Sequence, residues 1–334
     1  MMMNTITLHN AHLDVVVDLE HGAEITHIAN AQGVNMLYYA DWQSPVRASR
    51  STSYGNGVYD WLSEYRGGWQ ELFPNAGNPC EVMGTPLPFH GEVSRAQWQA
   101  EWKTPGLDVV LSTGARLPIV LERRMRLIPD RAVLFIEETI RNESDLELPY
   151  LWGHHPAWGP PLAAQGARID LPGGKLTVDS GLDGPTVDLQ PGSSHSWPQV
   201  SDRKGNSVDL SVVPAAPLQR LCYLQGLSAG WYALRNPADS LGVAMAWDVK
   251  TFPHLWMWQE IGGGQGMPWY GRAEITALEP ATQFPSHGLA EAIKAGTAHT
   301  LAPRAEASTW LTVALFAADE RPVQGVSADG AITF

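Results

Sequence analysis

Four segments of the sequence concentrate the residue types that carry proton transfer. Each combines Trp with His, Glu or Arg, and they are Arg66–Gly77 with Pro88–Glu92, Leu151–Gly159, Phe252–Glu260, and Leu278–Pro280 preceded by Pro268–Arg272. The unperturbed pKa of histidine lies near neutrality, and burial can raise the pKa of a glutamate until it becomes an effective base. The four segments therefore predict an acid–base site.

His154 and His155 are adjacent, between an apolar strand and a Pro156–Gly159 turn. We expect this segment to be a loop held by a rigid scaffold, a common setting for catalytic groups. A lone histidine is more commonly a structural group. Neighbouring residues of an extended segment point to opposite faces, so one of these two side chains faces a given pocket and the other packs or hydrogen-bonds.

Glu279 lies between Leu278 and Pro280, at the end of the apolar run Ile275–Leu278. Partial desolvation there raises the pKa of a carboxyl group and makes its carboxylate a better base. The alternative is a surface glutamate at a strand end. The apolar context makes Glu279 the candidate general base.

Other chemistries fit the sequence less well. A metal site would draw its ligands from His90, His154, His155, His254 and Glu260. The sequence has no His-Glu-x-x-His spacing, and vicinal histidines do not readily chelate one ion. The run Gly262–Gly266 lacks the Lys and the following helix of a phosphate-binding loop, and no Gly-x-Ser-x-Gly elbow is present. We expect neither a metal nor a cofactor.

Composition narrows the class of protein. The 334 residues are 44% hydrophobic and 17% charged, with a formal net charge of -13. An acidic surface repels nucleic acid and anionic lipid, and no apolar stretch is long enough to span a membrane. The sequence starts without the features of a signal peptide, and Cys80 and Cys222 are too few for a disulfide framework. We expect a cytoplasmic protein without nucleic-acid or membrane partners.

Alternating apolar residues recur along the chain, and 32 Gly and 25 Pro separate the runs. This pattern predicts strands at Leu13–Leu19, Val109–Leu111, Leu121–Ile128, Ala132–Ile140, Val208–Val213, Gly242–Trp247, His254–Trp258, Glu274–Ala277 and Trp310–Phe316. One short helix is expected at Gly288–Ala295 and a long surface loop at Gly181–Ser196. The sequence predicts a mostly β fold, a large antiparallel sandwich forming a single domain over residues 1–334.

The four segments, in this order, resemble the galactose mutarotase-like superfamily and in particular the aldose 1-epimerases. Gly67-Gly68-Trp69, Phe73-Pro74 and His90-Gly91 are similar to the family's Gly-Gly, Phe-Pro and His-Gly motifs. Gly153–Trp158 resembles its Gly-His-Pro-Ala-Phe segment, and Leu278–Pro280 its Glu-Pro segment. The resemblance implies the family's supersandwich fold and a mutarotase that interconverts the α and β anomers of an aldose without a cofactor.

The resemblance also implies roles for individual residues. Glu279 is the base that removes the proton of the C1 hydroxyl, and His155 is the acid that protonates the ring oxygen. His155 must then start protonated, with a nearby carboxylate supporting its charge. His90 and Arg66 donate hydrogen bonds to sugar hydroxyls, and His154 stands where the family has a substrate-side Asn.

The 14 Trp residues suit either core packing or stacking on the apolar face of a pyranose. Trp158 or Trp258 is the expected stacking wall, and the expected partner is a monosaccharide bound by a monomer or homodimer. The alternative of another class is a non-catalytic carbohydrate-binding protein, which has no need to place Glu279 opposite His155. Lyases and hydrolases of similar fold carry extra helical domains.

Two departures from the family pattern concern sugar recognition. Ser94 stands where many members have Arg after His-Gly, and Gly230–Pro237 replaces the segment whose Asp holds a sugar hydroxyl. The sequence therefore leaves open which aldose is used, whether it is phosphorylated or sulfonated, and which residue replaces that Asp.

Overall fold

The computed structural model describes residues 4–40, 42 and 55–334. Strands make up 47% and helices 5% of the structure, so the predicted mostly β fold is confirmed. The strands are β1 Thr5–His9, β2 Leu13–Asp18, β3 Glu24–Asn30, β4 Trp69–Leu72, β5 Cys80–Val82, β6 Thr85–Leu87, β7 Gln99–Thr104, β8 Asp108–Gly114, β9 Ile119–Leu127, β10 Val133–Asn142, β11 Leu148–Tyr150, β12 Gly153–Trp158, β13 Arg168–Asp170, β14 Lys175–Val178, β15 Ser194–Ser196, β16 Gln199–Ser201, β17 Ser207–Asp209, β18 Leu218–Gln225, β19 Trp231–Asn236, β20 Leu241–Trp247, β21 His254–Ile261, β22 Glu274–Ala281, β23 His299–Leu301, β24 Glu306–Phe316, β25 Gly325–Val326 and β26 Ile332–Thr333. The helices are α1 Gly57–Leu62 and α2 Leu289–Ala295, with a 3-10 turn at Pro237–Asp239.

Two large sheets organise these strands. The twelve-stranded sheet has the order β1-β2-β3-β4-β12-β22-β21-β18-β14-β15-β16-β17, and the eight-stranded sheet has the order β13-β19-β20-β24-β10-β9-β8-β7. The strand ladders within both sheets are antiparallel. The predicted antiparallel sandwich is confirmed.

The main core lies between the two sheets. It joins Leu13, Val15 and Val17 of β2 to Leu134 and Ile136 of β10, all with at most 1% of their surface exposed. These residues alternate with polar or half-buried ones, because successive side chains of a strand point to opposite faces.

β12 lies in the middle of the twelve-stranded sheet, between β4 and β22. Every residue from Gly153 to Trp158 is buried. The expected loop around His155 is therefore wrong: the strand continues through Pro156 to Trp158. A strand covered on both faces reads as a continuous run of buried residues, and Pro156 gave this segment the appearance of a turn.

Several smaller elements differ from their prediction. The strand expected at Val208–Val213 is only β17, and β15 ends the long loop expected at Gly181–Ser196. Helix α1 was not predicted. It begins after Asn56, whose side chain accepts hydrogen bonds from the amides of Val58 and Tyr59. Asn is a favoured residue at this capping position, so a signal was present but weak.

A charged cluster links the two sheets inside the core. Arg123 of β9 donates from Nε to Glu138 of β10 at 2.9 Å, and from Nη2 to Glu71 of β4. It also donates to the carbonyl of Ala23. His154 of β12 completes this inter-sheet cluster, with its Nε2 3.1 Å from Glu138 Oε2 but not aligned for a hydrogen bond.

Burial sets the charge of the inter-sheet cluster. It raises the pKa of Glu71 to about 7, with a further contribution from the nearby Glu138. Burial lowers the pKa of His154 to about 4. Trp69 donates to His154 Nδ1 at 3.3 Å, so the proton of the neutral imidazole is on Nε2, facing Glu138. A single guanidinium thus compensates two buried carboxyl groups.

Neither described helix has the length and apolar character that crossing a membrane requires. A single domain over residues 1–334 and a cytoplasmic location stay predictions.

Replacing Arg123 with Leu should destabilise the protein by about 3 to 5 kcal/mol, because it leaves buried carboxyl groups without their cation. Arg124→Leu is the matched control. Arg124 is the next residue of β9, and its partly exposed ion pair with Asp108 is worth at most about 1 kcal/mol. Urea denaturation of both variants measures the difference. Equal losses would show that the inter-sheet cluster contributes no more than a surface pair.

Candidate active site

A pocket of about 560 Å³ opens on the face of the twelve-stranded sheet that points away from the eight-stranded sheet. The alternation of side chains fixes this arrangement. His155 and Glu279 line the pocket, whereas Leu278 and Trp158 belong to the core between the sheets. In β12 and β22 the odd-numbered residues therefore face the pocket, and the even-numbered residues face the core between the sheets.

The register of β12 and β22 brings His155 opposite Glu279. Gly153 pairs with Ala281 and Ala157 pairs with Ala277, which places His155 and Glu279 side by side. His155 Nε2 is 3.7 Å from Glu279 Oε1, and the two residues are only 4% and 2% exposed. The two candidate catalytic groups, 124 positions apart in sequence, thus form one buried pair.

Burial dominates the titration of this pair. It lowers the pKa of His155 to about 4 and raises the pKa of Glu279 well above its usual range. Both shifts favour the same uncharged state of the pair, with the carboxyl group protonated and the imidazole neutral. Without a ligand, desolvation thus disfavours the protonated His155 with which the mechanism implied by the resemblance starts, because it disfavours both charges.

Atoms of the pair remain available to a ligand. His155 Nδ1 and Glu279 Oε2 are buried, and neither has a hydrogen-bond partner among the described residues. Buried polar atoms are nearly always hydrogen-bonded in folded proteins. Two such atoms in one pocket are a feature of a binding or catalytic site.

His90 also lines the pocket, and its ring centre is 5.5 Å from that of His155. Burial lowers the pKa of His90 well below its ordinary value, with a smaller contribution from His155. The amide of Gly77 donates to His90 Nδ1 at 3.2 Å, so Nε2 carries the proton of the neutral ring. His90 therefore offers a hydrogen-bond donor.

Aromatic rings form much of the pocket wall. Trp258 lies with its ring centre 5.5 Å from that of His155 and 5.4 Å from that of Trp269. Trp61, Phe89, Trp256 and Trp269 were not predicted in the site; together with Trp258 they line it. Trp256 shares its strand face with Trp258, a signal that the sequence contained. Trp61 lies on the unpredicted helix α1.

Three residues expected to bind sugar do not line this pocket. Arg66 donates to the carbonyl of Ala40 at 2.8 Å, and its guanidinium lies over Tyr39. His154 belongs to the inter-sheet cluster. Trp158 is fully buried in the core, where its indole donates to the hydroxyl of Tyr232 at 2.9 Å. Of the two Trp candidates, the structure brings Trp258 to His155.

Within the described residues, one group has the composition of a metal site. Ligand atoms of Glu71, Glu138 and His154 lie within 4.8 Å of one another. The guanidinium of Arg123 already binds both carboxylates, so a cation occupies this position without a metal. Only His154 among these residues was a metal candidate from the sequence.

A family model described as a domain of unknown function, DUF4432, matches residues 3–315. The chain belongs to the DUF4432 family. No protein of curated function matches the chain by sequence.

Solved structures share the fold of this DUF4432 protein. The Slr1438 protein of Synechocystis is 18% identical, with a TM-score of 0.67 over 95% of this chain and 97% of that one. A Klebsiella pneumoniae protein provisionally named an aldose 1-epimerase is 15% identical, with a TM-score of 0.66 over 93% and 79% of the two chains. A galactose mutarotase related enzyme of Lactobacillus acidophilus is 15% identical, with a TM-score of 0.61 over 95% and 99%. At identities this low, the structural likeness shows a common fold, the galactose mutarotase-like sandwich.

Glu279→Gln should stabilise the protein, by an amount that grows as the pH rises above about 4.5. Below that pH the carboxyl group is protonated in both states. Above it only the unfolded chain loses the proton, because burial raises the pKa of the folded form. Each pH unit then favours unfolding of the wild type by about 1.4 kcal/mol until Glu279 ionises in the folded protein.

Urea denaturation at several pH values from 5 to 8 measures this gain. The matched control is Glu274→Gln, at the exposed start of the same strand. A stability difference for Glu279→Gln that stays flat across this range would contradict the assigned pKa shift.

Proposed function

We propose that this DUF4432 protein is an aldose 1-epimerase, in which Glu279 and His155 open and reclose the ring of an aldose. The observation that carries this proposal is their geometry: an acid and a base, 3.7 Å apart, buried on the floor of an aromatic pocket. A non-catalytic binding protein gains nothing from burying two titratable groups in contact.

The chemistry requires two simultaneous proton transfers. One group takes the proton of the C1 hydroxyl while the other protonates the ring oxygen, and the C1–O5 bond breaks. Rotation about C1–C2 turns the aldehyde, and the ring oxygen then attacks its other face. On reclosure the base returns the proton to the C1 oxygen, and the ring oxygen returns its proton to the acid. The pair therefore ends each cycle as it began. Positioned proton transfer of this kind contributes about 10² to 10⁴-fold.

The proton count of the buried pair suits this cycle. The reaction needs one transferable proton between the two groups, and the opposite pKa shifts of His155 and Glu279 favour a state in which the carboxyl group carries it. We assign Glu279 as the base toward the C1 hydroxyl and His155 as the acid toward the ring oxygen. The proton passes from Glu279 to His155 when sugar hydroxyls replace the apolar surroundings that disfavour the ion pair.

The remaining pocket groups orient the sugar. His90 offers an N–H to a hydroxyl, and Trp258 offers an indole face to the apolar side of the ring. The proposed substrate is a monosaccharide, whose exchange between anomers transfers only protons and needs no redox partner.

Glu279→Gln should reduce kcat and kcat/KM together, because Gln retains the shape of Glu but cannot accept the proton. His155→Asn should lose a comparable factor. The double variant should be little slower than either single variant, since both groups serve one concerted step. NMR or polarimetry of freshly dissolved α-glucose, α-galactose and other aldoses measures anomer exchange above the spontaneous rate.

Wild-type protein that binds a sugar but accelerates no anomer exchange would favour the carbohydrate-binding alternative. Full activity of Glu279→Gln would remove Glu279 as the base.

Trp258→Ala should weaken sugar binding by about 1 to 3 kcal/mol, the value of one buried apolar contact. Trp310→Ala is the control, because Trp310 is a partly buried Trp of β24 in the other sheet. Titration calorimetry with the preferred aldose compares the two variants. Unchanged affinity of Trp258→Ala would mean that this ring packs against Trp269 and does not bind sugar.

A further inference from the structure

The glycine run Gly262–Gly264 is built around the carboxylate of Glu260. Glu260 Oε1 accepts hydrogen bonds from the amides of Gly263 at 3.0 Å and Gly264 at 2.7 Å. Its Oε2 accepts from Gln219 Nε2 at 2.6 Å. Three donors meet a side chain with no exposed surface, so both oxygens act as acceptors, as an ionised carboxylate requires.

The glycines are needed for packing at this place. A Cβ at Gly263 would lie 2.6 Å from Gln219 Cγ, and one at Gly264 would lie 2.4 Å from Trp269 Cδ1. Any larger residue would push these two side chains out of position. The loop therefore packs directly against Gln219 and Trp269, both of which line the pocket.

The amide of Gln219 is held in one orientation. Thr186 donates from its hydroxyl to Gln219 Oε1 at 2.8 Å, while Nε2 donates to Glu260. An amide nitrogen carries two hydrogens, so one N–H of Gln219 remains to be donated. Because its two ends are fixed, this donor can discriminate between ligands by geometry.

This polar group lies at the opposite end of the pocket from the catalytic pair. Trp256 pairs with Glu279 across β21 and β22, and Glu260 follows Trp256 by four residues on the same strand face. At about 3.3 Å per residue the separation along β21 is about 13 Å, and Trp258 lies midway. A sugar ring lying on Trp258 with C1 at Glu279 directs its opposite end toward Gln219.

We propose that Gln219, held by Thr186 and Glu260, determines specificity by hydrogen-bonding a hydroxyl at the end of the sugar remote from C1. The carboxylate of Glu260 behind it repels an anionic group at that end. The substrate class is therefore an aldose with a free hydroxyl there, in place of a phosphate, sulfonate or carboxylate. This inference rests on the proposed function for the orientation of C1.

Gln219→Met keeps the length of the side chain and removes the amide. KM for the preferred aldose should rise about tenfold, with the loss in KM rather than kcat, because the contact exists before and during reaction. For one of the 3-, 4- or 6-deoxy analogues of that aldose the same substitution should have no effect, since the hydroxyl is already missing. Gln225→Met, at the other end of β18 and outside the pocket, is the matched control.

Equal losses on the parent aldose and on all three deoxy analogues would overturn the assignment. Thr186→Val provides a second variant that frees the amide without removing it. It should reduce the preference for the parent aldose over the same deoxy analogue, and an unchanged preference in a folded Thr186→Val protein would also count against the proposal.

The charge argument has its own test. Wild-type protein should bind glucose at least about tenfold more tightly than glucose 6-phosphate, since like charges in contact are strongly unfavourable. Stronger binding of the phosphate would overturn the proposed substrate class.

Calorimetric titration in the Glu279→Gln background separates failure of the subsite from failure of the proposed function. If the variant binds aldoses selectively but the wild type accelerates no anomer exchange, the epimerase function is wrong and the Gln219 subsite stands. If no aldose binds saturably, the Gln219 subsite is wrong.

Discussion

The burial of His155 against Glu279 is the constraint on which the rest of the site depends. Because β12 and β22 pair in one register, a one-residue shift of β12 against β22 would turn His155 into the core between the sheets and His154 to the pocket face, and so separate His155 from Glu279. The next two strands beyond β22, β21 and β18, supply further pocket residues by the same alternation. Sheet register, more than any local sequence feature, brings His155 and Glu279 together beside the aromatic side chains of β21.

Burying this pair requires a rigid surrounding. Desolvation disfavours the charge of both groups, and the pocket leaves His155 Nδ1 and Glu279 Oε2 without hydrogen bonds from the described residues. On the reverse face of β4 and β12, the inter-sheet cluster ties Glu71 to Arg123 and Glu138 in the other sheet. β4, which pairs with the strand of His155, is thereby joined to the second sheet by charged hydrogen bonds, which are the stronger kind.

The sequence allowed the fold class and the pairing of His155 with Glu279 to be predicted, because alternating apolar runs and ordered motifs are local signals. The sequence did not allow us to predict which face of the sheet each side chain occupies. Trp158 and Trp258 are equivalent as residue types, yet only strand register places the first in the core and the second beside His155. Gln219 was not predicted, because its importance comes from Glu260, 41 positions away, through a contact between β18 and β21. The protonation of His155 also depends on burial that no short segment reveals.

Two buried glutamates of the same pocket illustrate how environment divides their chemistry. Burial raises the pKa of both Glu279 and Glu260. At Glu260, hydrogen bonds from Gly264, Gln219 and Gly263 counteract that shift and stabilise the carboxylate as a fixed acceptor. Glu279 has no such donors among the described residues, so burial alone sets the direction of its pKa shift and favours the protonated carboxyl group. Enzymes obtain distinct roles from identical carboxyl groups by separating their environments in this way. A pocket with a proton-exchanging carboxyl at one end and a fixed anion at the other suits a neutral polyhydroxylated ring that reacts at a single carbon.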